Sequence, residues 1–169
     1  MEGIKMSITF NASEILEMAI QIEKNGQKFY RKAAQIVSDK KAGKLLLDLA
    51  DMEVKHELIF KEMKEHLTEK EKELMVYDPD DEASMYLQAF ADGYIFNMRK
   101  DISAQLTGKE SPSDIFNTAI GIEKDSIVFY VGLKDFLPTE AGKEKVENVI
   151  REEKNHIAIL NGMIKQYKQ

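Results

Sequence analysis

The chain contains no cysteine. Disulfides, iron–sulfur clusters, thiolate zinc sites and cysteine nucleophiles are therefore excluded, and a disulfide-free chain is compatible with the cytoplasm. Proline is scarce, three residues in 169, while Glu, Lys, Leu, Ile, Met and Ala are abundant, a balance that favours helices from end to end. No run approaches the ~20 apolar residues needed to span a bilayer, and Met1 to Phe10 lacks the apolar stretch of a signal peptide. Positive charge is not in excess. The net charge of −6 gives no reason to expect a nucleic-acid partner. The expectation that remains is one all-α domain over 1–169, cytoplasmic, without membrane or nucleic-acid partners and long enough to bury a core.

Histidine is nearly absent too, with three residues in the chain. Two of them close the matched segments Glu53-x-x-His56 and Glu153-x-x-His156, and single glutamates, Glu23 and Glu123, precede these segments. Every member of the set recurs at an offset of 100 residues. The surroundings repeat as well: residues 14–37 and 114–137 share eight of 24 aligned positions, including Lys24/Lys124, Phe29/Phe129 and Tyr30/Tyr130, so the chain reads as two related halves.

Helix starts follow from local chemistry. Asn11 can cap a first helix with Glu14 three residues on, and Ser111 can cap a third with Pro112 at the first helical position and Asp114 at the third. Ile15, Ala19, Ile22 and Phe29 form an apolar helical face that recurs at Ile115, Ala119, Ile122 and Phe129. Each of Glu23 and Glu123 interrupts such a face. The second helix, starting near Ser38 or Asp39, presents Leu45, Leu46, Leu49, Met52, Phe60 and Met63; the fourth presents Val146, Val149, Ile150, Ile157 and Leu160. Helices are expected at about 12–37, 39–67, 112–137 and 139–167, with turns short enough to make two antiparallel hairpins. Lys70 to Lys72 reads as a charged, exposed stretch, Asp78-Pro79-Asp80-Asp81 as a helix breaker, and 82–106 as a further amphipathic helix. A helix over 39–67 is roughly 40 Å long, and the residues between the hairpins suffice to return along it. The expected architecture is a four-helix bundle of two antiparallel hairpins with one long, partly helical crossover.

Residues three apart on a helix share a face, so each Glu-x-x-His can present a carboxylate and an imidazole together. A lone Glu-x-x-His is a weak signal; two copies with two partner glutamates make a six-donor set: Glu23, Glu53, His56, Glu123, Glu153 and His156. Four carboxylates in an apolar core repel one another strongly, and two divalent cations would balance them with the imidazoles neutral. Oxygen-rich ligation with one imidazole per metal suits iron or manganese better than four-coordinate zinc. Glu23 with His56, and Glu123 with His156, are the expected separate ligand pairs, and Glu53 and Glu153 the expected bridges. No catalytic residue separate from these ligands is expected. Tyr30 and Tyr130 lie seven residues after Glu23 and Glu123, over the same faces. They read either as hydrogen-bond donors orienting those carboxylates or as core tyrosines with polar tips. His66, near a helix end, reads as a surface residue, and Met52 and Met63 as core.

At these residues the chain resembles the ferritin-like superfamily and, within it, rubrerythrin-type di-iron carboxylate proteins. The resemblance covers about 12–67 and 111–167. It implies a non-haem protein with two iron ions, manganese being the other candidate, that reduces peroxide or dioxygen. Ferroxidation with iron storage or delivery, and a non-catalytic metal-stabilised scaffold, are the alternatives it leaves open. Full-type rubrerythrins carry a Cys-rich electron-delivering module, so here an external electron-donor protein is expected. Rubrerythrins also tend to place another glutamate three residues after the third-helix ligand, where this chain has Ser126, and haem-binding bacterioferritins a methionine where it has Val54. A homo-oligomer, with a dimer favoured, is the expected assembly.

Overall fold

Asn11 and Ser111 start the two hairpins in the same way. In the computed structural model, which describes residues 10–73, 82, 85, 86, 89 and 102–167, the Asn11 side chain accepts from the Glu14 amide at 2.9 Å while Glu14 accepts from the Asn11 amide at 3.0 Å. This reciprocal capping opens α1, Ala12–Ile36. Asp39 caps α2, Lys40–Glu65, by accepting from the Ala42 amide at 2.8 Å. Ser111 and Asp114 repeat the capping box at the start of α4, Pro112–Leu133, with Pro112 in the first turn where its missing N–H costs nothing. The last helix, α5, is Glu140–Tyr167.

Three stretches differ from the sequence reading. The charged segment around Lys70 is a short helix, α3, Glu69–Glu73, because Thr68 and Glu71 form their own capping box. The helix expected to run to 137 ends at Leu133 and tightens into a 3₁₀ turn over Lys134–Phe136 ahead of Pro138. The helix expected over 82–106 lies largely outside the described residues; Glu82, Met85, Tyr86 and Ala89 are helical as expected, whereas at the far end the chain forms a 3₁₀ turn over Ile102–Gln105. There the Glu110 carboxylate accepts from the Thr107 and Gly108 amides at 2.7 and 2.9 Å, and Gly108 takes a positive φ of 85°. That local turn competes with a further helical turn. Lys32 of α1 anchors the 3₁₀ turn through the Ser103 carbonyl at 2.6 Å. The breaker at 78–81 lies outside the described residues.

Side-chain pairs fix the helix directions. Glu17 meets Lys64 and Gln27 meets Glu57, so α1 and α2 are antiparallel. Glu123 meets His156 and Lys134 meets Glu147, so α4 and α5 are antiparallel. His56 meets Glu153 while Glu53 meets His156, so the second helices of the two hairpins are also antiparallel. It follows that α2 and α4 run the same way, and the connection between them must travel the length of the bundle. The fold is an all-α, ferritin-like bundle of two antiparallel hairpins with a long, partly helical crossover.

The core is split. One apolar cluster, including Ile15, Phe60, Phe129, Tyr130 and Val149, fills the end where α1 begins. The other, including Phe29, Tyr30, Leu46, Phe116 and Leu160, fills the opposite end. Each fully buried large side chain contributes about 1.5–3 kcal/mol, so both ends are well held. Between them lies a polar layer.

Candidate metal centre

Glu23, Glu53, His56, Glu123, Glu153 and His156 form that layer, each at most 3% exposed. The four long helices supply them. Glu23 and Glu123 face inward because they continue the apolar faces of α1 and α4, and the i, i+3 spacing brings both members of each Glu-x-x-His inward together. His56 Nδ1 lies 3.1 Å from Glu153 Oε1 and 3.7 Å from Glu23 Oε2. His156 Nδ1 lies 2.8 Å from Glu153 Oε2, 3.4 Å from Glu123 Oε1 and 3.5 Å from Glu53 Oε1. The two imidazoles stack with centroids 5.7 Å apart and planes inclined by 22°.

Two overlapping donor sets result. Glu23, Glu53, His56 and Glu153 make one, and Glu53, Glu123, Glu153 and His156 the other; the donor atoms within each set all lie within 4.8 Å of one another. Glu53 and Glu153 belong to both. The structure thus brings together all six residues singled out in the sequence and leaves His66 aside, exposed at the end of α2.

The donor atoms are close but poorly satisfied. Among the described residues, every buried side-chain N or O without a hydrogen-bond partner belongs to this set: Glu23 Oε2, Glu53 Oε1, His56 Nδ1, Glu123 Oε2, both Glu153 oxygens and His156 Nδ1. Buried polar atoms are normally paired. Seven orphans converging on one centre, all oxygen or imidazole nitrogen, fit a pair of cations that such donors ligate.

Electrostatics agree. Burial pushes the carboxyls of Glu23 and Glu53 up, Glu53 strongly, with the charges of Glu153, Glu123 and Glu23 adding to the rise. Burial likewise pushes Glu123 up to about 8, aided by Glu153. Burial alone would also raise Glu153 and lower the histidines. The mutual contacts outweigh it, holding Glu153 at about 2 and raising His56 to about 11 and His156 to about 9. Without metal, protons supply the positive charge that this layer needs.

The tyrosines correct the sequence reading in one respect. Tyr30 donates to Glu123, and Tyr130 donates to Glu23. Each phenol therefore serves the glutamate of the other hairpin rather than its own. Seven residues along one helix is about 10 Å, too far for a direct bond. The crossed, reciprocal pairing shows that α1 and α4 are antiparallel, which brings each tyrosine level with the opposite glutamate. Burial and the adjacent glutamate charge push both phenols well above their ordinary range, so they stay protonated as donors.

Sequence reasoning missed other neighbours. Gly26 leaves room for Glu53: a Cβ there would sit 2.8 Å from Glu53 Oε2. Its counterpart Ser126 is buried and donates to the Ile122 carbonyl at 3.0 Å. Gln27 donates to Glu57 at 2.6 Å and to the Glu53 carbonyl at 3.4 Å. Glu152 lies 3.1 Å from His56 Nε2, and the half-buried Met52 Sδ lies 3.0 Å from His156 Nε2. Their shared place in the repeat, one residue before Glu53 and Glu153, was the available signal.

Fold and site together define a ferritin-like carboxylate bundle. A family model described as rubrerythrin matches residues 14–97, which include Glu23, Glu53 and His56. A solved structure of a proposed ferritin-like diiron-carboxylate protein from Thermotoga maritima is 26% identical, with 94% of this chain and 97% of that chain covered and a TM-score of 0.70. No curated protein matches the chain. The chain is similar to ferritin-like proteins of the rubrerythrin type, and its buried carboxylate and histidine cluster fits a di-iron protein. No helix among the described residues is long and apolar enough to cross a membrane.

Proposed function

We propose that this chain is a cytoplasmic, non-haem di-iron oxidoreductase that reduces peroxide or dioxygen, with Glu23, Glu53, His56, Glu123, Glu153 and His156 holding two iron ions. The observation that carries the reading is the pair of overlapping donor sets sharing Glu53 and Glu153. When bound there, a ferrous pair supplies two electrons to an O–O bond.

The chain's own residues set the conditions. Glu53 and Glu153 belong to both donor sets and would contribute a carboxylate to each ion. Tyr30 and Tyr130 fix the orientation of Glu123 and Glu23 by hydrogen bonds across the bundle. The apolar clusters on both sides of the layer restrict water. With no cysteine, the chain has no thiolate-ligated centre of its own to carry electrons, so a separate electron-donor protein restores the reduced state. A homodimer is the proposed assembly.

The test is stoichiometric. Anaerobic protein loaded with two ferrous ions per chain is mixed with hydrogen peroxide. The balanced reaction, 2 Fe²⁺ + H₂O₂ + 2 H⁺ → 2 Fe³⁺ + 2 H₂O, requires one peroxide per pair. Oxidation with that stoichiometry, faster than that of free ferrous ion, supports the proposal. Oxidation no faster than in free solution counts against it.

A further inference from the structure

The two halves of the layer are related by the repeat, but the residues behind the two histidines differ. Both imidazoles turn Nδ1 toward the centre, where the carboxylates lie. Both turn Nε2 outward, each toward the opposite Glu-x-x-His helix. His56 Nε2 meets Glu152 Oε2 at 3.1 Å, whereas His156 Nε2 meets Met52 Sδ at 3.0 Å. Positions 52 and 152 correspond in the repeat, so one ancestral place is occupied by a carboxylate in one half and a thioether in the other.

An imidazole that binds metal through Nδ1 is neutral and carries its proton on Nε2. A carboxylate is a strong acceptor for that N–H and a thioether a weak one. Carboxylate acceptance fixes the tautomer and ring orientation and raises the basicity of the ligating nitrogen, an effect on the order of 10–100-fold in metal affinity. The Glu152 side chain is 55% exposed, and solvent screening places the effect near the low end, about 10-fold.

The geometry points to two inequivalent metal positions, the one at His56 tighter because Glu152 accepts from Nε2, the one at His156 weaker because Met52 stands in the corresponding place. Glu152 and Met52 are positioning residues acting through the histidines. The inference rests on the proposed metal-binding role of the layer but not on its redox activity.

Cobalt(II) titration followed by optical absorption tests it without redox chemistry. His156→Ala leaves the His56 position and His56→Ala leaves the His156 position. The first variant is expected to bind cobalt about 10-fold more tightly than the second. Adding Glu152→Met to the first should abolish the advantage, and adding Met52→Glu to the second should create it. A gain from an introduced carboxylate is not produced by a merely structural role. Should the histidine variants fail to fold, the intact chain serves: wild type should fill in two resolvable steps, and Glu152→Met should merge them. Equal affinities that ignore both exchanges, or a single wild-type step unchanged by Glu152→Met, overturn the inference. Inequivalent cobalt binding without peroxide-driven iron oxidation leaves this inference standing and sinks the proposed reaction. Rapid iron oxidation with equivalent positions does the reverse, and absence of any metal binding sinks both.

Discussion

At the scale of single residues, the fate of each buried carboxylate depends on what touches it. Glu153 lies between two histidines and stays ionised, whereas Glu53 is crowded by other carboxylates and favours its protonated form. These differences fix the pH behaviour of the metal-free protein. His56 at about 11, His156 at about 9 and Glu123 at about 8 all lie above their ordinary values of 6.5, 6.5 and 4.5. Groups raised on folding contribute stability that is complete below the ordinary value and lost as pH rises through the folded one. The metal-free melting temperature should therefore fall as pH rises from 6.5 to 9. Glu153, held low, loses its contribution only as pH falls from 4.5 toward about 2, outside that window. Because cations displace these protons, the metal-induced rise in melting temperature should widen over the same range. Thermal melts with and without cobalt, on a common buffer series, check both trends; a constant difference would contradict them.

Tyr30 provides a second residue-scale prediction. Tyr30→Phe removes the donor to Glu123 and leaves a buried oxygen unpaired. The expected cost is about 1–3 kcal/mol in the metal-free protein and on the order of 10-fold in metal affinity, with helicity retained. Tyr130→Phe should act alike through Glu23. Circular dichroism melts and metal titration report the two effects separately. The bland alternative, a core tyrosine whose tip is incidental, leaves metal affinity unmoved.

At the scale of elements, helix starts were legible because a cap is decided within four residues. Asn11 with Glu14 and Ser111 with Asp114 cap as their spacing predicts. The inward placement of Glu23 and Glu123 was legible for a similar reason, since they continue the stripes of Ile15, Ala19, Ile22 and their repeats. The crossed tyrosine bonds were not legible, because they depend on the direction and register of α1 against α4. Nor was the 3₁₀ turn at Ile102–Gln105, where Glu110 and Gly108 set a competing turn that apolar periodicity does not register. Gly26 makes its own prediction. Gly26→Ala improves helix propensity by up to about 1 kcal/mol yet intrudes on Glu53. Metal-free stability should hold or rise while metal affinity falls; chemical denaturation and cobalt titration should move in opposite directions. Parallel losses, or unchanged affinity, would contradict the role given to that space.

At the scale of the whole molecule, the bundle is two apolar cores joined by one polar layer. The repeat made the six donors visible, because each half states the same ligands in the same order. It concealed how the halves differ. Met52 against Glu152 acquires meaning only once both hairpins are folded together, and Gly26 against Ser126 and Gln27 against Ile127 only once α1 packs on α2. Stability follows from the same plan: burying charges costs several kcal/mol each without partners, so the layer is the weak point of the metal-free chain and its strongest clamp when loaded. Removing metal with a chelator should lower the melting temperature by several degrees while helices persist, and Glu123→Ala or His156→Ala should reduce metal content in the same folded background.

The most direct measurement is crystallographic. Diffraction from iron-loaded crystals, collected at the iron absorption edge, should give two anomalous peaks per chain in the layer between the apolar clusters, one beside Glu23 and His56, the other beside Glu123 and His156, with Glu53 and Glu153 reaching both. A centre with no anomalous peak, or iron bound only at the protein surface, would contradict it.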